Sequence, residues 1–160
     1  MEHPLLEFNN TVSWDTDGLQ QERLPEWLKR ARVEPSRLRE AFKLRALIHR
    51  VFTAIADGRK PRPDDWRDLQ REIARAMRDA RLVRSGDRYV WQVTPKLREL
   101  AWQAGQLLAS PDLARLRRCA NSECGWLFLD ESRRGNRRWC EMAACGSRAK
   151  ARAYYERKKK

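Results

Sequence analysis

Apolar positions recur along this chain with a helical period over most of its length and with a strand period in a few short stretches. From Pro35 onward, Ala41, Leu44, Ile48, Val51, Phe52 and Ile55 return every three or four residues until Gly58, which predicts a long amphipathic helix. Upstream, "LPEWLKRA" (24–31) predicts a short helix with Pro25 in its first turn. After the polar loop "GRKPRP" (58–63), Asp64 or Asp65 is placed to cap a helix whose buried stripe is Trp66, Leu69, Ile73, Met77 and Ala80. The period falls to about two in "RLVRSGDRYVWQV", where Ser85-Gly86-Asp87 supplies the turn of a β-hairpin. Thr94-Pro95 then starts a third helix carrying Leu97, Leu100, Ala101, Ala104, Leu107 and Leu108, and Ser110-Pro111 ends it.

Beyond residue 115 the pattern shortens. "GWLFLD" (125–130) reads as a strand, "ESRRGN" as a turn and "RRWC" as a returning strand. "CGSRAKARAYYERK" suits a helix, rich in alanine, with Cys145, Ala149 and Ala153 on one face to lie against that hairpin. The expected organisation is a helical domain over 1–110 containing a hairpin, followed by a small module over 115–160. The fold class is mainly α with a small β component.

Charge sharpens this division. The formal net charge is +13 over 160 residues, and residues 115–160 alone hold 14 Arg or Lys against five acidic residues, a net of +9. No apolar run approaches the roughly 18 to 20 residues of a membrane span. The N-terminal stretch "MEHPLLEFNNTVSWDTDG" lacks the pattern of a signal peptide, so a cytoplasmic, reducing location is expected. Asn9-Asn10-Thr11 fits a glycosylation sequon, which carries no weight without secretion.

All four cysteines fall in the basic segment. Four residues separate Cys119 from Cys124, four separate Cys140 from Cys145, and fifteen lie between the pairs. Two short-spaced pairs joined by a hairpin can converge on one structural Zn2+ through four thiolates, since no histidine is nearby. A knuckle, hairpin and helix of this kind form a zinc-ribbon or treble-clef-like module that needs the metal's free energy to fold. Disulfides or a redox switch, and an iron–sulfur cluster, are other uses of the same thiols.

Four thiolates and one zinc ion sum to about −2, which cannot account for the arginines. Arg133, Arg134, Arg137 and Arg138 surround the predicted turn. Arg148, Arg152 and Tyr155 share one face of the predicted helix, with Lys150, Tyr154 and Arg157 on the other side. Such clustering suits phosphate neutralisation and guanine recognition, so duplex DNA is the expected partner, ahead of RNA, an acidic protein or a merely solubilising surface.

At these residues a family becomes recognisable. "RLRRCANSECGWLFLDESRRGNRRWCEMAACGSRAKARAYYERKK" closely resembles the CGNR zinc finger of bacterial proteins described as stress-induced transcription regulators. "LLEFNNTV" is similar to the L-[DE]-F-x-N-T stretch that opens the helical ABATE domain, the finger's usual companion. The resemblance implies that Cys119, Cys124, Cys140 and Cys145 bind one zinc ion, and that the helical domain senses a signal or a small-molecule ligand. It departs at Cys145-Gly146-Ser147-Arg148, where serine replaces the asparagine of the family's namesake motif; Ser147 can still cap a helix.

Elsewhere the chemistry is sparse. Trp14, Trp27, Trp66, Trp91 and Trp102 suit core packing first and a ligand pocket second. His3 and His49 are isolated, no nucleotide-binding or metalloprotease motif is present, and no nucleophile has an evident base. The expectation is a non-enzymatic DNA-binding transcription regulator, the alternative being a ligand-sensing or protein-interaction module whose basic tail binds an acidic partner or RNA. A homodimer is compatible with either, and nothing in the sequence demands it.

Overall fold

A computed structural model describes residues 3–14, 20–121 and 124–158. The side chain of Trp14 lies outside this description, as do residues 159–160 of the lysine tail. The chain runs α1 (Pro4–Asn9), β1 (Val12–Trp14), β2 (Gln20–Glu22), α2 (Leu24–Arg30), α3 (Leu38–Ala56) and α4 (Pro63–Asp79), then β3 (Arg81–Ser85), β4 (Arg88–Gln92), α5 (Lys96–Leu108), β5 (Leu116–Arg118), β6 (Leu127–Leu129) and α6 (Ser147–Lys158). The strands form three separate antiparallel pairs. The fold is mainly α with a small β component.

The long apolar period of α3 makes it the central helix. Ala41, Leu44, Leu47, Ile48, Val51 and Phe52 belong to one core with Leu5 and Phe8 of α1, Trp27 of α2, and Leu97, Leu100, Ala104 and Leu107 of α5. Each large side chain buried there contributes about 1.5–3 kcal/mol before entropy is counted. α1 and the β1–β2 pair escape periodicity because they are only six and three residues long. His3 caps α1, its Nδ1 accepting the Leu5 amide at 3.3 Å.

One charged residue enters the core from α3. Arg45 is buried, with both terminal nitrogens on Glu22 at 2.6 Å and one also on the Thr11 hydroxyl at 2.7 Å. Burial pushes the Glu22 carboxyl up, but the Arg45 hydrogen bonds and the Leu24 amide more than offset this and hold it below its ordinary value.

α4 differs from the pattern expected of it. Its buried positions are Asp65, Leu69 and Ala76, whereas Trp66 and Met77 face solvent, so the face is turned by one residue. The cause is Asp65, which does not cap the helix. Its carboxylate is held by Arg50 of α3 at 2.7 Å and Arg62 at 2.7 Å, bonds that draw its pKa down to about 2. Against α5 the helix comes close at Gly105, where a Cβ would stand 2.9 Å from Ile73 Cγ2.

The C-terminal pairing also differs. The strand 127–129 pairs with β5, ahead of the first cysteine, and residues 137–140 form no strand. The Asp130 carboxylate explains this: it accepts the Ser132 hydroxyl at 2.5 Å, the Ser132 amide at 3.0 Å and the Arg137 amide at 2.9 Å, closing 130–137 into a loop. The same bonds hold its carboxyl below the ordinary value. Leu116 and Leu127 of the β5–β6 pair join the main core, so the ligand-bearing hairpin is seated on α3.

Candidate metal centre and nucleic-acid interface

The β5–β6 hairpin carries the first cysteine pair at its tip. The Cys119 amide continues the ladder to the Trp126 carbonyl at 2.9 Å, and the Cys124 amide closes the knuckle on the Asn121 carbonyl at 3.0 Å. The second pair comes from the following loop and turn. Arg137 shapes that loop, lying over the Phe128 ring at 4.7 Å and donating to the Trp139 carbonyl at 2.9 Å and to the Cys140 carbonyl. Cys145 then sits in a wide helical turn, Met142–Gly146, closed by the Gly146 amide on the Glu141 carbonyl at 3.1 Å. A side chain at Gly146 would collide with the Met142 sulfur, which accounts for glycine after the fourth ligand.

These elements bring all four Sγ atoms within 4.8 Å of one another. Cys124 and Cys140 stand 3.6 Å apart and Cys140 and Cys145 3.7 Å. Zinc with Zn–S bonds of about 2.3 Å in a tetrahedron needs sulfurs about 3.8 Å apart. The donor set therefore fits one zinc ion, which Cys119, Cys124, Cys140 and Cys145 would hold. The crowding has an electrostatic signature: hydrogen bonds from Cys124 and Cys140 hold the Cys119 thiol below its ordinary value, while Cys119 pushes Cys124 and Cys140 up. Four thiolates at such spacing call for a cation to neutralise them.

Asn121 ties the cluster to α6. Its amide nitrogen faces the Cys145 sulfur at 3.7 Å, and its oxygen accepts from Arg152 at 2.6 Å. Asn121 was missed in the sequence, although it stands between the first two cysteines in "RCANSEC". Ser147 does not cap α6 through an amide; its hydroxyl donates to the Met142 carbonyl at 3.2 Å, bracing the wide turn.

The basic residues divide into two groups. Arg137 and Arg138 shape the loop: Arg138 lies over the Trp139 ring at 5.3 Å, and its carbonyl accepts the Ala120 amide at 2.8 Å. Arg152 meets the same knuckle through Asn121. Arg133 and Arg134 stand exposed on the turn at 132–135. Arg148, Lys150, Arg157 and Tyr155 are exposed on α6, with Tyr155 edge-on to Tyr154 at 5.7 Å. α6 has no buried residue: Ala149 is half-buried and Ala153 exposed, so the helix leaves the body after its first turn and does not lie along the hairpin as its alanine spacing suggested.

The module is bolted to the helical core. Asn10, buried at the end of α1, donates to the Leu127 carbonyl at 2.8 Å and accepts the Leu127 amide at 3.1 Å. Trp126 Nε1 donates to the Val12 carbonyl at 2.6 Å, with Arg23 over its ring, and Arg118 pairs with Asp57 at 2.9 Å. His49 lines a cavity of about 190 Å³ against Cys124, Gly125 and Trp126; burial, then Arg45, hold its pKa down and keep it neutral. The remaining tryptophans fall in separate places: Trp27 packs on Phe8 at 5.0 Å, Trp91 meets Trp102 at 5.9 Å, and Trp66 is partly exposed.

Fold and site together define a helical domain carrying a four-thiolate zinc finger. Residues 115–158 match the CGNR zinc finger. Residues 2–120 match the ABATE family, described as "putative stress-induced transcription regulator", and the chain belongs to that family. Comparison with curated proteins gave no match. Among the described residues no helix is long and apolar enough to cross a membrane.

Proposed function

We propose that the chain is a cytoplasmic DNA-binding transcription regulator in which the zinc is structural and the basic surface of the finger contacts duplex DNA. The observation that carries this reading is α6. It buries none of its residues and bears Arg148, Lys150, Arg157 and Lys158, besides Arg152 that reaches back to Asn121, against a single Glu156. A solvated helix with that charge is electrostatically suited to phosphate, and its width suits the major groove. Arg133 and Arg134 on the adjoining loop supply further positive charge. The metal's place in this scheme is mechanical: four thiolates complete a zinc ion's coordination, leaving no open position for catalysis. Selection from a pool of randomised duplexes by the zinc-loaded protein tests the reading. Enrichment of a common sequence supports it, whereas retention of RNA or of an acidic polypeptide in preference to duplex refutes it.

A further inference from the structure

α4 and the hairpin after it carry arginine in two different ways. On α4, Arg67, Arg71 and Arg75 each meet a carboxylate three residues earlier, on Asp64, Asp68 and Glu72. On the hairpin, none of Arg81, Arg84 and Arg88 meets a carboxylate among the described residues, and Arg84 donates only to the Gly86 carbonyl at 3.1 Å. The helix surface is neutralised and the ribbon's is not.

The ribbon also exposes large apolar side chains. Its register places Leu82 opposite Trp91 and Arg84 opposite Tyr89 on one face, where Trp91 also meets Trp102 of α5 at 5.9 Å, and Arg81 and Arg88 with Val83 and Val90 on the other. Leu82 is 55% exposed, Tyr89 66% and Trp91 56%. A two-stranded ribbon is only marginally stable by itself, and here it is exposed on both faces apart from half-buried Val83 and Val90. A second copy docked on this ribbon would bring two net-positive surfaces together, each with three arginines against Asp87, which is unfavourable. A polyanion removes that conflict: in a groove, the guanidiniums of both faces meet the phosphates on either side while Tyr89 and the exposed part of Trp91 pack on sugar and base edges. A two-stranded ribbon fits the DNA major groove as a helix does. In the chain 23 residues lie between the hairpin and β5 of the finger, 13 of them in α5, a helix about 20 Å long and so shorter than the roughly 34 Å of one duplex turn.

We propose that the β3–β4 hairpin is a second DNA-contacting element, acting with the finger on one duplex. This rests on the DNA-binding reading above. The test is fluorescence anisotropy of the zinc-loaded chain on a labelled duplex over a range of salt. Three variants are compared: Arg81→Gln with Arg84→Gln and Arg88→Gln; Arg148→Gln with Lys150→Gln; and a charge-matched control, Lys29→Gln with Arg39→Gln and Lys60→Gln. Thermal unfolding confirms that each folds. The hairpin variant is expected to bind at least about tenfold more weakly at moderate salt, with a slope of log K against log salt shallower by about two to three. The control should change the slope by less than about one. An unaltered slope in the hairpin variant, with the finger variant flattened, overturns this inference and leaves the DNA reading standing. Absence of binding by the wild type overturns both. Sedimentation showing a wild-type dimer that Leu82→Arg splits would assign the ribbon to a second copy instead and equally overturn it.

Discussion

Replacing Asn10 by alanine removes one side chain and orphans a strand. The amide of Asn10 satisfies both main-chain groups of Leu127, a residue with no exposed surface, and nothing else on α1 reaches β6 by a side-chain hydrogen bond. Each buried main-chain group left without a partner costs about 1–3 kcal/mol, so the loss of two predicts a destabilisation of about 2–6 kcal/mol. Out of a total of about 5–15 kcal/mol that is a large fraction. Urea unfolding of the zinc-loaded chain, followed by far-UV circular dichroism, reads the effect directly. With a slope of about 2 kcal/mol per molar, the midpoint should fall by about 1–3 M. Asn10→Asp should be about as damaging, because a carboxylate accepts from the Leu127 amide but repels its carbonyl. A loss below about 0.5 kcal/mol in the alanine variant would mean that water replaces the amide, and the joint between finger and helices is not built as described.

The remaining predictions concern the supports of the site. Asp65→Asn should lower stability by about 1 kcal/mol, a figure reduced from the full shift because Arg50 and Arg62 are 44% and 73% exposed; Arg62→Ala alone should cost less, and equal losses in urea unfolding would contradict the burial argument. Asn121→Ala removes a neighbour of the Cys145 sulfur and should weaken zinc about 10–100-fold in chelator competition; unchanged affinity would reduce Asn121 to a loop residue. Metal analysis should find one zinc per chain. Stripping it should shift the unfolding of the helices as well as the finger, because Leu116 and Leu127 share their core, and a helical transition unmoved by chelator would show the two to be independent.

Long periodic elements and the ligand set were legible in the sequence because each is a local pattern: α3 announces itself by three- and four-residue steps, the zinc site by two equal cysteine gaps. What was not legible depends on partners distant in the chain. The face of α4 could not be read from apolar positions because its buried anchor is the charged Asp65, held by Arg50 on another helix. The partner of β6 could not be read because Leu116-Arg117-Arg118 is too short to show alternation, while the segment expected to pair with it is bent away by Asp130. The alanine face of α6 suggested packing, yet Ala149 is only half-buried and Ala153 is exposed. Asn10 sat in a sequon that carried no weight; its work, bracing Leu127 from 117 residues away, has no local trace.

The central claim is that the zinc-held basic surface grips phosphate. Anisotropy of the zinc-loaded chain on duplex DNA, titrated with salt, tests it most directly. If α6 and its adjoining loop engage about four to six phosphates, these contacts alone give log K against log salt a slope of about −4 to −5, to which the hairpin adds, and Arg148→Gln with Lys150→Gln should make the slope shallower by about two. Affinity that is flat in salt, or a slope unchanged by those two substitutions, would contradict the account.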